Sequence, residues 1–136
     1  MSLPGAAMQI VHEAVRLAGT AIGAYTAEVL GILRAAIADP FHEVNQAACC
    51  TLQLLSQQLG ARLQPVSKEL VADVLPLTTH RRKAVRCAGV RTVRQLVFCG
   101  AHEMILEMVA WRDPNVVAIK AFYEPDPKVS IHARTE

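Results

Sequence analysis

The chain has 136 residues, which is a usual length for one domain. Hydrophobic residues make up 52% of it but aromatic residues only 4%, so its apolar mass is mainly Ala, Leu, Val and Ile. A formal net charge of +2 is too close to balance to indicate a nucleic-acid partner, and so few aromatic residues argue against base stacking.

Apolar residues at helical spacing predict three helices in the first half of the chain. The first is expected from about Met8 to Gly23, and its buried stripe is predicted to consist of Ile10, Ala14, Leu17, Ala18, Ala21 and Ile22. The second is expected from about Thr26 to Ala38, where Asp39-Pro40 stops it, because a residue before proline avoids the α region. The third is expected from about His42 to Leu59, with Gly60 as its C-terminal cap.

The second half continues the helical pattern. A fourth helix is expected from about Ser67 to Leu77, with Ser67 as its N-cap, and a fifth from about Arg81 to Cys99, ending at Gly100. Further helical segments are predicted at residues 102–110, 115–123 and 129–136. No alternating strand pattern is present, so the predicted class is all-α.

A short polar turn that leads into a valine recurs along the chain. It is found at residues 39–45, 79–86 and 124–130. The residue number rises by 41 from Val44 to Val85 and by 44 from Val85 to Val129. A period of about 40 to 47 residues with two helices per unit is typical of HEAT and armadillo arrays. We therefore predict an α-solenoid of HEAT-type antiparallel helix pairs, an architecture that usually serves as an interaction surface.

The period divides residues 1–136 into one array segment with approximate units 8–38, 39–77 and 78–123 and an incomplete unit 124–136. The register of the first unit is open. Residues 14–19 match residues 84–89, yet Val15 precedes Val44 by much less than one period, so either the first unit is shortened or the match is chance. Both ends are expected to expose an apolar face, which predicts a piece of a longer array or a short product of a gene that encodes one.

Helical wheels separate a core side from a polar side in the third and fifth helices. The expected core residues are Val44, Ala47, Ala48, Thr51, Leu52 and Leu55 in the third helix, and Val85, Ala88, Gly89, Thr92, Val93 and Leu96 in the fifth. The opposite sides should align as one strip. Its candidate partner-binding residues are Gln46, Gln53, Gln57, Lys83, Arg91 and Arg94, accompanied by Cys50, Cys87 and Phe98.

This strip has two interpretations. It could be an ordinary solvated face, since charged residues must lie somewhere, and that is the better interpretation of any single residue. For the strip as a whole we favour contact with an acidic segment of another protein, because solenoids bind through such surfaces. The repeat-turn residues Asp39, Pro40, Val44, Val85, Arg86 and Val129 are given structural roles. Arg86 is expected to pair with Asp39 of the neighbouring unit, and Asn45 to break any such ladder.

Enzyme chemistry finds little support. The five histidines are scattered without metal-ligand spacing, no phosphate-binding glycine motif is present, and none of the four cysteines forms a CxxC pair. We therefore expect no catalytic residue, no metal and no cofactor. The cysteines are predicted to be reduced thiols of a cytosolic protein, because neither a secretory leader nor an apolar run of about 18 residues is evident.

Residues 33–100 resemble the HEAT-repeat dynein axonemal assembly factor family. The resemblance is carried by residues 29–34 (VLGILR), 39–44 (DPFHEV), the adjacent Cys49-Cys50 and residues 83–86 (KAVR). It implies a cytoplasmic scaffold or co-chaperone-like factor that preassembles axonemal dynein arms for the cilium and binds dynein intermediate or heavy chains and chaperones. It implies no catalytic residue.

A second hypothesis stays open, namely a HEAT-repeat adaptor of another class. Transport receptors, phosphatase scaffolds and tubulin-binding arrays share the architecture. A tubulin-binding array would use the turns within the pairs, here residues 39–43 and 78–83. Proteins recovered from the cytosol of ciliated cells would discriminate the two, with dynein chains favouring the first hypothesis and tubulin or transport cargo the second.

Overall fold

A computed structural model describes residues 3–101 of the protein. Five α-helices form within this range, and no strand does: α1 Leu3–Ala18, α2 Thr26–Ile37, α3 His42–Leu59, α4 Gln64–Val74 and α5 Lys83–Leu96. Short 3₁₀ segments follow α1, α3 and α4 at Gly19–Tyr25, Gly60–Leu63 and Leu75–Thr79, and a π turn, Val97–Ala101, follows α5. The all-α class is confirmed. The helical segments predicted after residue 101, the third copy of the turn and Val129 lie outside the described residues.

The helices form two layers. Helices α1, α3 and α5 lie side by side in one layer, while α2 and α4 lie in the other and pack against α3 and α5. The core runs between the layers and includes Leu33 of α2, Leu52 and Leu55 of α3, and Leu70 of α4, none more than 1% exposed. This stacking of helix pairs is an α-solenoid.

The period that separates Val44 from Val85 extends through all the described residues. Gly19 and Gly60, one period apart, both take a positive φ (56° and 53°) directly after α1 and α3. Thr26 donates to the carbonyl of Gly23 near the start of α2, and Ser67 donates to that of Gln64 near the start of α4, again one period later. Helix α1 is therefore the counterpart of α3, and residues 14–19 correspond in space to residues 55–60. The match to residues 84–89 is chance.

Three predicted elements match the structure closely. Helix α3 has the predicted bounds, α2 ends one residue earlier than predicted, and Gly60 ends α3 with the positive φ that a glycine accommodates. The two expected core sides are also confirmed. Eleven of the twelve residues are buried and the other, Ala47, is half-buried.

The predicted stripe of the first helix is wrong for four of its six residues, because Ile10, Ala14, Leu17 and Ala21 are exposed, whereas Ile22 is buried and Ala18 half-buried. Helix α1 begins at Leu3 and buries Met8 and Val15, whereas Ile10 and Leu17 are 72% and 73% exposed. The sequence offers two apolar stripes on this helix, and periodicity cannot tell which one a neighbour covers. Contact with α3 selects the stripe of Met8 and Val15.

The predicted cap of the fourth helix is also wrong. Helix α4 begins three residues before Ser67, with Pro65 in its first turn, where a proline's missing N–H costs nothing. Ser67 lies inside the helix and is buried. Pro76 follows α4 within the 3₁₀ segment Leu75–Thr79, because proline cannot supply the N–H that would continue an α-helix.

Within the described range, residues Gly5–Ile37 together are long and apolar enough by length and composition to cross a membrane. Core helices of soluble proteins share this length and composition. The longest α-helix that contributes to Gly5–Ile37 is α1, which has 16 residues, fewer than the roughly 20 that span a bilayer core. The lack of an uninterrupted apolar run of about 18 residues leads us to expect that nothing spans a membrane, and this stays a prediction.

Candidate partner-binding surface

The first repeat turn, between α2 and α3, is held by Asp39 and Asn45. The Asp39 carboxylate accepts from the backbone N–H of Phe41 at 2.9 Å. The side-chain amide of Asn45, 3% exposed, donates to the carbonyls of Ala36, Ile37 and Asp39 at 2.8–3.0 Å. The last carbonyls of a helix lack partners within that helix, so Asn45 satisfies the end of α2.

The second turn repeats these contacts one period later with different residue types. The His80 ring Nδ1 accepts from the backbone N–H of Arg82 at 3.0 Å. The Arg86 guanidinium donates to the carbonyls of His80 and Arg81 at 2.9 and 3.0 Å. The expected pairing of Arg86 with Asp39 is therefore wrong, because Arg86 binds its own turn. Asn45 does not break a ladder; it occupies the equivalent position.

A second set of repeated hydrogen bonds joins neighbouring helices of the α1–α3–α5 layer. The Thr51 hydroxyl donates to the carbonyl of Ala47 and also forms a hydrogen bond with His12 Nδ1 at 3.0 Å. The equivalent Thr92 hydroxyl accepts from the Gln53 amide at 3.3 Å. His12 and Gln53 are thus the same position in successive repeats.

A third repeated contact joins a side chain to the backbone of the preceding helix. Gln58 donates to the carbonyl of Val15 at 3.0 Å, and the Cys99 thiol donates to that of Ser56 at 3.8 Å. In both pairs of neighbouring helices, a contact further along one helix is made to a residue further along the other, so α1, α3 and α5 run parallel. Their solvent-facing sides consequently lie next to one another.

The predicted strip lies on these solvent-facing sides. Gln57, Lys83 and Arg91 are exposed, and Gln46 and Arg94 are half-buried. Gln53 is half-buried because its amide bonds to Thr92, so it also contributes to packing between α3 and α5. Cys50 and Phe98 are exposed on the same side, and Cys87 is half-buried. Because α1, α3 and α5 run parallel, these positions lie on one surface.

The strip extends onto α1, which sequence reasoning missed. Gln9, His12 and Arg16 occupy the positions equivalent to Cys50, Gln53 and Gln57. A groove of about 460 Å³ between α1 and α3 is lined by Gln9, His12, Glu13, Glu43, Gln46, Ala47 and Cys50. The repeat period applied upstream of Val44 would have found these residues.

Charge changes along this surface. On α1 the Arg16 guanidinium binds the Glu13 carboxylate at 2.6 Å, and this hydrogen bond lowers the pKa of Glu13. Helix α3 contributes amides at Gln46, Gln53 and Gln57, and α5 contributes the cations of Lys83, Arg91 and Arg94. The surface thus progresses from a balanced end to a basic end.

The two adjacent cysteines have opposite environments. Burial raises the pKa of the Cys49 thiol to about 12, and burial also raises that of Cys99. Cys50 is exposed at the groove between α1 and α3. All four cysteines are free thiols, as expected. Between residues 3 and 101, no group of three or more His, Cys, Asp or Glu residues could hold a metal ion.

Comparison with known proteins identifies related sequences. The family model described as "Dynein axonemal assembly factor 5-like, TPR repeats" matches residues 3–111, about four fifths of the chain. The repeat period of this chain is longer than the roughly 34 residues of a tetratricopeptide unit and has the length of a HEAT unit.

Two curated relatives carry the name dynein axonemal assembly factor 5. The mouse protein is 24% identical over 105 residues, and the human protein is 25% identical over 95 residues. These alignments cover 77% and 70% of this chain but only 12% and 11% of the relatives' lengths. No solved structure matches.

Proposed function

The chain belongs to the dynein axonemal assembly factor 5-like family, and on that premise we propose that it is a non-enzymatic scaffold for preassembly of axonemal dynein arms in the cytoplasm. Family membership supports a role in axonemal dynein assembly, and the match over residues 3–111 is the observation that carries the proposal. The chain spans about one eighth of the curated relatives, so its own activity and partners are inferred.

The proposed binding surface is the strip on α1, α3 and α5. Its basic end, with Arg91 exposed on α5, suits an acidic segment of a dynein intermediate or heavy chain. Exposed charges of this kind govern association rate and specificity more than the stability of the fold. Chaperones are proposed to join the same complex, as co-factors of client assembly.

A charge reversal tests this surface. Arg91→Glu, alone and with Arg94→Glu, should reduce the amount of axonemal dynein chain recovered with the protein from the cytosol of ciliated cells. Added salt should weaken the wild-type complex, because exposed charges are screened over about 8 Å at physiological ionic strength. A thermal melt of each variant separates loss of binding from loss of fold.

Lys68→Glu is the matched control, because Lys68 is exposed on α4, in the other layer, and its reversal changes the net charge by the same amount. Recovery of dynein chains with Lys68→Glu but not with Arg91→Glu supports the proposal. If equal amounts of dynein chain were recovered with both variants, the contact would have to lie on the turns or on α2 and α4. Tubulin or transport cargo in place of dynein chains would favour an adaptor of another class.

A further inference from the structure

The outer side of α1 carries an apolar face that no neighbour within the described residues covers. We define this outer face by Ala7, Ile10, Ala14 and Leu17, all of which are exposed. Ile10 and Leu17 are large aliphatic residues that are 72% and 73% exposed. The four residues are spaced 3, 4 and 3 apart, which places them on one side of the helix.

The repeat period shows what occupies this position elsewhere in the molecule. The equivalents on α3 are Ala48, Thr51, Leu55 and Gln58, and those in the next repeat are Gly89, Thr92 and Leu96 of α5 and Cys99 of the π turn that follows it. Seven of these eight residues are buried, and Gln58 is half-buried. In both helices this is the side that contacts the preceding helix of the layer.

Hydrogen bonds mark the contacts that cover the two equivalent faces. Helix α1 covers α3 through His12 on Thr51 and through the Val15 carbonyl on Gln58. Helix α3 covers α5 through Gln53 on Thr92 and through the Ser56 carbonyl on Cys99. One rule therefore holds twice, with the covering helix parallel to the covered one and one repeat earlier in the stack.

From this rule we infer that the outer face of α1 is a docking surface for one further helical-repeat unit, whose last helix lies parallel to α1. The surface continues an interface that the molecule already forms between α1 and α3 and between α3 and α5. The inference does not depend on the dynein client, because it concerns the side of α1 and not the solvent-facing strip.

The outer face lacks the hydrogen-bonding side chains of its equivalents, and this restricts which residues the docking helix can carry. Ile10 replaces the threonine that forms a hydrogen bond with the preceding helix in α3 and α5, and Leu17 replaces the donor at Gln58 and Cys99. A docking helix with His or Gln at the position of His12 would lose its hydrogen-bond partner, and a buried polar group without a partner is unfavourable. The matching helix should therefore carry an apolar residue there.

Helix α5 of a second copy of this chain fits the outer face poorly. If that α5 took the place of the docking helix in a head-to-tail stack, Arg94 would occupy the position of His12 and Gln53. That arrangement would bring a guanidinium against Ile10 in an apolar contact, and burial of a charge is costly. We therefore assign the surface to a separate repeat unit with an apolar edge.

An extended chain provides the test. A copy of residues 42–82 is placed before Met1 of the full chain, so that the copied α3 lies one period before α1, and within the copy alone Gln53 is replaced by Leu. The extended chain should melt at a higher temperature than the natural chain and sediment as a monomer. Restoring Gln53 in the copy should reduce that gain, because Ile10 offers it no acceptor.

Ile10→Lys then reports whether the outer face is used. In the natural chain it should leave the melting temperature nearly unchanged, since exposed substitutions have small effects. In the extended chain the same substitution should lower it by several degrees. Gln9→Lys, on an exposed α1 position that faces the strip, should have a small effect in both chains and is the matched control.

Four outcomes would overturn the inference. The first is an extended chain that melts no higher than the natural one. The second is a natural chain that Ile10→Lys destabilises, which would mean that the chain covers this face itself. The third is a natural dimer that Ile10→Lys dissociates. The fourth is cosedimentation with phosphatidylcholine–phosphatidylserine vesicles that Ile10→Lys abolishes, which would assign the face to a lipid surface.

Discussion

Asn45 and Arg86 occupy the same position in successive repeats and hold their turns in the same way. Each is the residue after a buried valine at the start of its helix, and each donates to the carbonyls that precede that helix. The short amide of Asn45 reaches the end of α2, whereas the longer guanidinium of Arg86 reaches His80 and Arg81. The repeat therefore preserves a hydrogen-bonding role and not a residue type.

Replacing Asn45 tests this role. Asn45→Ala should lower the free energy of unfolding by about 1–3 kcal/mol, because it leaves buried carbonyls without a donor. Asn45→Asp, of nearly the same shape, should be at least as damaging, since a carboxylate only accepts. Urea unfolding of both variants checks the prediction. A midpoint for Asn45→Asp equal to that of the natural chain would contradict it.

Ala88 lies on the covered side of α5 and is 6% exposed. Ala88→Asp should destabilise the fold by several kcal/mol, because it buries a carboxylate without a partner. Ala84→Asp is the control, since Ala84 is exposed in the first turn of the same helix, where a negative charge is tolerated. Circular dichroism melts should show a large loss for the first variant and a small change for the second. Similar melts would show that this side is not core.

Adjacent thiols should differ in reactivity. Cys50 is exposed and should react readily with iodoacetamide, whereas the buried Cys49, with a pKa of about 12, should react only on unfolding. Mass spectrometry of tryptic peptides, with Cys50→Ser as the control, measures both. Equal labelling of the two thiols in the folded protein would contradict the arrangement of α3.

The same burial of Cys49 affects stability at high pH. The pKa of the thiol is near its ordinary value of 9.0 in the unfolded chain but about 12 in the folded one. The Cys49 thiol therefore stays protonated to a higher pH in the folded state than in the unfolded state. Its contribution to the free energy of unfolding is complete below pH 9 and is lost progressively as the pH rises toward 12. Urea midpoints at several alkaline pH values, compared with those of Cys49→Ala, should show this difference shrink.

Two glycines should respond to alanine with opposite signs. Gly60 has a φ of 53°, so Gly60→Ala should cost about 1–2 kcal/mol through left-handed backbone strain. Gly31 lies inside α2 with nothing within 4 Å of an added Cβ, so Gly31→Ala should stabilise the fold by roughly 0.5–1 kcal/mol. Thermal melts of the two single variants decide the signs, and a Gly60→Ala variant that melts higher than the natural chain would refute the turn geometry.

Sequence patterns predicted the elements whose signals are local and unambiguous. Helix α3 is bounded by Asp39-Pro40 before it and Gly60 after it, and its apolar side is single and continuous, so its limits and buried side follow from composition. The polar strip on α3 and α5 follows from the same wheels. The predicted client and localisation rest on the family and stay proposals.

The wrong predictions share a physical cause, because each concerned a feature that depends on contacts in the folded structure. Helix α1 offers two apolar stripes, and only the position of α3 selects the one with Met8 and Val15. The pairing of Arg86 with Asp39 assumed an ionic partner, whereas carbonyls of its own turn lie closer along the chain. Gln9, His12 and Arg16 were missed because the register of the first unit was left open, so the strip was not extended onto α1.

The hydrogen bonds between repeats have a consequence for folding speed. Each of those described joins residues 39 to 43 apart in the chain, whether between α1 and α3, α2 and α4, or α3 and α5. The loop that must close to form an inter-repeat contact thus stays at about 40 residues, and its entropic cost does not grow as repeats are added. Docking of each new helix pair onto a folded neighbour therefore has about the same entropic cost, and the folding time grows only with the number of docking steps.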